Sequence, residues 1–250
     1  MSPQPQRPAP SPRDDILENG VLPVNDRLDT VQCAYYLQPT GRPDADFFDA
    51  VSLGKERAAQ GRGREAVAVA CGKGEFLVQA GGSKSGYPYV LSNGDFTIEC
   101  GPHNRPNFFV TFRSQALWRE SGYLLHAKFL AWARSVGFER DQREGLSRVD
   151  FCFDYLLPVV DFDEDAFTTR ATKDSQHREN GKVQTFTFGK GNVVLRVYDK
   201  VAEIAEKSHK VWFFVLRRRE SDVWRIEWQV RKTALRRFDI RTFDDLGQTG

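Results

Sequence analysis

The stretch "NVVLRVYDKVAEIAEKSHK", residues 192–210, decides how the chain is read. Its first half alternates, with Val193, Leu195 and Val197 on one side of an extended chain and Arg196, Tyr198 and Lys200 on the other. Its second half is a charged helical pattern, so Tyr198 stands where a strand gives way to a helix, between two cations. A tyrosine there can cap the edge of a core, or it can be a nucleophile held against a phosphate. Upstream, the Gly-containing turn "GKGN" joins this strand to "VQTFTFG" (183–189), and the pair reads as a β-hairpin.

The same punctuation runs through the rest of the chain. Short apolar segments broken by Gly, Pro and Asn predict strands at 30–37, 66–72, 76–81, 96–101 and 108–113, with a helix over 44–61 starting near Asp44 or Asp46. A recurring three-to-four spacing predicts one long helix over 114–137, with Ser114 as its N-cap and Gly137 as its stop. "LSRVDFCFDY" (146–155) and "WRIEWQVRK" (224–232) read as strands, and the segment between 199 and 212 as a helix. Together these predict an α+β fold, antiparallel β-sheets with helices packed on one face. The expected organisation is a disordered Pro-rich leader (1–26), a strand-rich N-terminal region (27–113) and a catalytic region (114–250) cut short at its C-terminus.

At 250 residues, 40% hydrophobic and 28% charged, the composition is that of an ordinary globular protein with room for a substantial core. No apolar run approaches the roughly 20 residues that span a bilayer, and the N-terminus has no signal-peptide core. Cys33, Cys71, Cys100 and Cys152 form no C-x-x-C pair, so free thiols in a reducing compartment are expected rather than a zinc cage. The expectation is a cytoplasmic protein without a membrane partner. Net charge is only +2, but residues 196–241 hold thirteen Lys and Arg against seven Asp and Glu, leaving −4 for the rest. A basic C-terminal third is compatible with a phosphate backbone as partner, and also with an ordinary mixed surface.

Three strands repeat one design, an apolar face and a face of ionisable groups. Asp150, Cys152 and Asp154 share a face in the first, Arg196, Tyr198 and Lys200 in the second, and Arg225, Glu227, Gln229 and Arg231 in the third. Side by side, these faces would gather Asp150, Asp154, Glu227, Arg196, Tyr198 and Lys200 on one surface. One reading is a solvent-exposed sheet face with cross-strand charge pairs. In the other, carboxylate oxygens suit Mg²⁺ or Mn²⁺, which binds few protein ligands plus substrate phosphate oxygens. Tyr198 would then attack phosphorus, with Arg196 and Lys200 lowering the phenol's pKa from its ordinary value near 10 and holding the phosphate in line. Arg148 and Arg225 each precede an acidic residue in their strands and could be structural ion-pair partners instead. Glu203 reads as a general base or as an i,i+4 partner of Lys207. Arg217, Arg218 and Arg219, read as a loop or hairpin tip, are candidates to grip phosphates, as are Arg231 and Lys232.

In order and spacing, "SRVDFCFDY", "TFTFGKGNVVLRVYDKVAE" and "WRIEWQVRK" resemble the replication initiation factor family. That family takes in rolling-circle initiators of plasmids and filamentous phages and related relaxases of integrative conjugative elements. The resembling region runs from about residue 117 to 246 and carries R-x-D-x-x-x-D, R-x-Y-D-K-x-x-E and R-x-E in turn. The resemblance implies a metal-dependent endonuclease that nicks one DNA strand at an origin through a 5′-phosphotyrosyl intermediate. It implies Tyr198 as nucleophile, Asp150, Asp154 and Glu227 near a Mg²⁺ or Mn²⁺ ion, and origin duplex and single-stranded nick-site DNA as partners. A host helicase and a second copy of the chain are further candidate partners. The alternative is an origin-binding module of the same fold that does not cleave. No His-hydrophobic-His metal motif is present; His103, His126, His177 and His209 stand apart.

Overall fold

The computed structural model describes residues 22–41, 44–157, 167–179, 182–217 and 221–246. Of the leader expected over 1–26, residues 1–21 lie outside them, and Leu22 opens the first strand. The α+β class is as expected, and the chain divides into two compact units, each with its own run of neighbouring strands.

The larger unit holds Arg27–Phe151, Gly189–Val194 and Trp228–Gly250. In chain order it begins with the part of β1 (Leu22–Tyr35) from Arg27 on, then β2 (Leu37–Pro39), α1 (Asp44–Gln60), β3 (Val67–Cys71), β4 (Gly74–Val78), β5 (Tyr89–Ser92), β6 (Phe96–Cys100) and β7 (Phe108–Phe112). It continues through α2 (Ser114–Arg119), α3 (Gly122–Ser135), β8 (Phe138–Arg140) and the first half of β9 (Gly145–Leu156). Strand order is β3-β4-β5-β6-β7-β1-β9, antiparallel from β3 through β1, while β2 and β8 make a small second sheet.

Alternation explains why these strands bury one face: Phe96, Ile98 and Cys100 stand opposite Phe112, Val110 and Phe108, all with almost no exposure. α1 lies against β3, β4 and β5 and sends Phe47, Val51 and Ala58 inward. Gly54 permits that approach, since a Cβ there would sit 2.5 Å from Val69 Cγ2. Phe47, Phe108, Phe129, Trp132 and Phe138 form the aromatic centre, with Phe108 edge-on to Phe138 at 5.2 Å.

The single helix expected over 114–137 is two. Glu120 is extended (φ −129°, ψ 157°), and Ser121 begins α3 by accepting a hydrogen bond from the Leu124 amide at 3.2 Å. Ser114 is not a cap but the first residue of α2, and its hydroxyl donates to Asp29 at 2.8 Å. Gly137 does follow α3 with φ 90°, as a helix stop should.

The smaller unit holds Met1–Asp26, of which residues 22–26 are described, together with Cys152–Phe188 and Leu195–Glu227. Its elements are the second half of β9, β10 (Asp174–Glu179), β11 (Lys182–Phe188), β12 (Val193–Asp199), α4 (Lys200–Glu203), α5 (Trp212–Arg217) and β13 (Val223–Arg231). Strand order is β10-β11-β12-β13-β9. β11 and β12 are the expected hairpin, with Thr185 opposite Tyr198 and Thr187 opposite Arg196. Phe186, Phe188, Val197 and Trp224 pack together on one face of the sheet. The helix expected over 199–212 is instead one turn of α4, a π-helical turn (Ile204–Ser208) and, after His209 at φ 51°, the separate α5. The chain then re-enters the larger unit as α6 (Lys232–Arg237) and α7 (Phe243–Leu246).

The sheet of the smaller unit corrects one expectation. The ionisable face is not a solvent face: Asp154 and Arg225 are fully buried, and Tyr198, Lys200 and Glu227 nearly so. The helical segment after β12 supplies part of the cover, with Phe213 buried and its ring 5.9 Å from Lys200 Nζ and 5.5 Å from the Arg225 guanidinium.

Candidate active site

β12 and β13 each contribute alternate residues to this interior. Tyr198 and Arg196 are two apart on β12, so they project to the same side and reach one carboxylate on β13. The Tyr198 hydroxyl donates to Glu227 Oε2 at 2.8 Å, and Arg196 Nη1 donates to Glu227 Oε1 at 2.9 Å. Both oxygens of Glu227 are thereby engaged, one by a phenol and one by a guanidinium. Tyr198 and Glu227 are each 7% exposed, whereas the Arg196 side chain is 36% exposed and forms the open edge of the triad.

Lys200 lies just beyond, at the first position of α4. Asp199 places it there by capping the helix, accepting from the Val201 and Ala202 amides at 2.9 and 3.0 Å. Lys200 Nζ sits 5.5 Å from the centre of the Tyr198 ring and donates to Glu203 Oε2 at 2.7 Å. Ser208, brought round by the π turn, donates to the same Glu203 oxygen at 3.1 Å. Glu203 is therefore the partner of Lys200, not of Lys207. The sequence carried a signal for it: Lys200 and Glu203 stand i,i+3 at a helix start.

The other two carboxylates are held by arginines. Arg225 Nε donates to Asp154 Oδ1 at 2.6 Å and its Nη2 to Oδ2 at 3.0 Å, a two-pronged pair with no solvent exposure. In the larger unit, Arg148 Nε donates to Asp150 Oδ1 at 2.7 Å, and its Nη2 grips Oδ2. The structural ion-pair reading of Arg148 and Arg225 is thus what the side chains adopt. As arranged, Asp150, Asp154 and Glu227 fit a divalent ion poorly, because every one of their oxygens already accepts from Arg or Tyr. Among the described residues no group of three His, Cys, Asp or Glu is placed to hold a metal.

Of the candidate phosphate-gripping residues, Arg217 is the last residue of α5 rather than part of a loop, and Arg218 and Arg219 lie outside the described residues. Arg231 and Lys232 are exposed where β13 passes into α6. All four cysteines are buried and none forms a disulfide. His126 is buried in α3, its Nδ1 2.7 Å from the Tyr35 hydroxyl. No helix among the described residues is long and apolar enough to cross a membrane.

A solved structure resembles this one. It is a rolling circle replication initiator protein from Geobacillus stearothermophilus, aligned at a TM-score of 0.46 with 17% sequence identity over 88% of this chain and 79% of that one. No protein-family model matches the chain, and no curated protein matches it by sequence.

What the smaller unit can do chemically follows from its own contacts. A phenol hydrogen-bonded to a carboxylate has a proton acceptor in place. A guanidinium at the open edge and an ammonium near the ring place positive charge beside that phenol.

Proposed function

We propose that the chain nicks one DNA strand at an origin and holds it by a phosphotyrosyl bond, initiating rolling-circle replication or mobilisation of a plasmid, phage or integrative element. The observation that supports this most directly is the hydrogen bond from the Tyr198 hydroxyl to Glu227, with Arg196 on the other carboxylate oxygen. In the proposed step the Tyr198 oxygen bonds to phosphorus as its proton passes to Glu227. The bond from phosphorus to the 3′ oxygen breaks, and that oxygen takes a proton from solvent. The phosphodiester becomes a 5′-phosphotyrosyl ester and a free 3′ hydroxyl, and the reverse reaction reseals the strand. Arg196 at the open edge would meet the phosphate oxygens first, with Lys200 behind the ring. Mg²⁺ or Mn²⁺ is proposed as the divalent ion the reaction requires, and nicking in Mg²⁺ buffer against excess chelator tests it separately.

The burial of Tyr198 and its satisfied hydroxyl favour a second reading, an origin-binding module of the same fold that does not cleave. One experiment separates the two. Supercoiled plasmid carrying the DNA that flanks the coding sequence is incubated with wild type and with Tyr198→Phe. A nicked circle bearing protein on its 5′ end, lost in the variant, is the expected result. Tight binding by both proteins with no nick supports the module instead.

A further inference from the structure

We propose that α6 and the β11–β12 turn form a grip for the phosphate backbone of duplex DNA, made by Lys190, Arg231, Lys232, Arg236 and Arg237. The inference rests on the nucleic-acid reading above and adds to it a place, a strand form and a count. The two segments belong to the larger unit and meet directly, since the Arg231 amide donates to the Asn192 carbonyl at 2.8 Å. Residues 189–194 and 231–237 hold those five cations and no acidic residue.

The helix is laid down so that its charge faces outward. Ala234 and Leu235 are its buried residues, and Lys232, Thr233, Arg236 and Arg237 are exposed on the opposite side. Lys232 and Arg236 are four apart, so they stand one above the other about 6 Å apart along the axis. Lys190 and Arg231 are exposed as well. None of the five forms an ion pair with another described residue, unlike the neighbouring Arg241, held by Asp239 at 3.0 Å, and Arg143, held by Asp244 at 2.8 Å. Cations that no described anion pairs, set out along a helix and a turn, are what a line of phosphates neutralises.

Duplex is favoured over single strand because unpaired bases are held by runs of stacking aromatics, and near this patch only Phe238, 72% exposed at the end of α6, and Trp228, 39% exposed on β13, stand out among the described residues. Polar contacts to phosphates position a duplex without reading its sequence, so the grip should act on any sequence.

The test is fluorescence anisotropy of a labelled duplex of arbitrary sequence across a salt series. Proteins compared are wild type, Lys232→Glu/Arg236→Glu, Lys190→Ala, and a control reversal, Arg57→Glu/Arg62→Glu, of exposed cations at and just beyond the end of α1. The expected slope of log affinity against log salt loses roughly 0.9 per phosphate contact removed, about 1.8 for the double reversal and about 0.9 for Lys190→Ala. The control double should leave it unchanged. An unchanged slope in the patch variants, or an equal loss in the control, overturns the proposal. So does tighter binding to single strands of the same length, or a preference for anionic vesicles over duplex. Circular dichroism melts of each variant show whether the fold is kept. Tyr198→Phe should bind with the wild-type slope, so loss of the grip and loss of the nicking reading give different results.

Discussion

At the scale of single residues, the smaller unit carries an unusual cost, since two full charges sit at zero exposure. Arg225 and Asp154 are stable there because two parallel hydrogen bonds return what desolvation takes. Breaking one side should therefore cost more than removing both. Asp154→Asn is expected to destabilise the protein by about 3–5 kcal/mol, whereas Asp154→Leu with Arg225→Met should be near neutral. Urea unfolding of the three proteins checks this, and a double variant as unstable as the single would contradict a closed structural pair. Glu227 answers to different physics, because under the proposed function its phenol partner is the nucleophile. As acceptor of the Tyr198 proton, its replacement in Glu227→Gln should slow nicking about 10²–10⁴-fold while DNA affinity is retained. Gel assays of the nicked circle beside anisotropy give both numbers, and an unchanged rate would remove Glu227 from the proton path.

At the scale of elements, most strands and their types were legible in the sequence, because alternation and Gly-containing turns are local signals. β11, β12, β13 and β9 are where the patterns of 183–189, 192–200, 224–232 and 146–155 put them. β5, β8 and β10 carry no strong alternation of their own and exist through their neighbours, Tyr89 opposite Cys100 and Gln176 opposite Phe186 among them. The approach of Arg196 and Tyr198 was legible for the same local reason. Glu227 as their shared acceptor was not, because strand order and register decide which residue stands opposite, and neither is written in one strand. Which face is buried was also hidden: a polar face reads as solvent until the Phe213 segment is known to lie over it. The break between α2 and α3 was in plain view as Ser121 before Gly122, yet a continuous apolar spacing outweighed it. With Ser121 as the cap, Ser121→Ala should cost about 1 kcal/mol, and Ser121→Asp, which keeps a capping oxygen, much less. Thermal melts of the two variants decide between a capped break and an incidental kink.

At the scale of the molecule, acid stability should depend on a group far from this chemistry in kind, the buried His126 of the larger unit. Burial lowers its pKa from the ordinary 6.5, opposed by the negative charges of Glu144 and Asp244 and reinforced by Arg140. Burial also pushes the Tyr35 phenol well above its usual value, so Tyr35 stays protonated where its hydroxyl meets His126 Nδ1 at 2.7 Å. The Phe243 ring stacks on His126 at 4.6 Å, and the Phe243 amide donates to Glu144 at 3.3 Å, so α7 is anchored on a neutral histidine. In the unfolded chain His126 takes up a proton near pH 6.5, while in the folded one it resists until lower pH. Below about 6.5 the unfolded state therefore binds more protons, and stability must fall as pH falls. The contribution is whole above 6.5, is lost through the interval down to the folded pKa, and levels off beneath it. Urea midpoints for wild type should thus drop between pH 7.5 and 5, and His126→Gln, which has nothing to protonate, should drop less. Equal slopes in the two proteins would mean that Glu144 holds the imidazolium as well as the pocket holds the neutral ring.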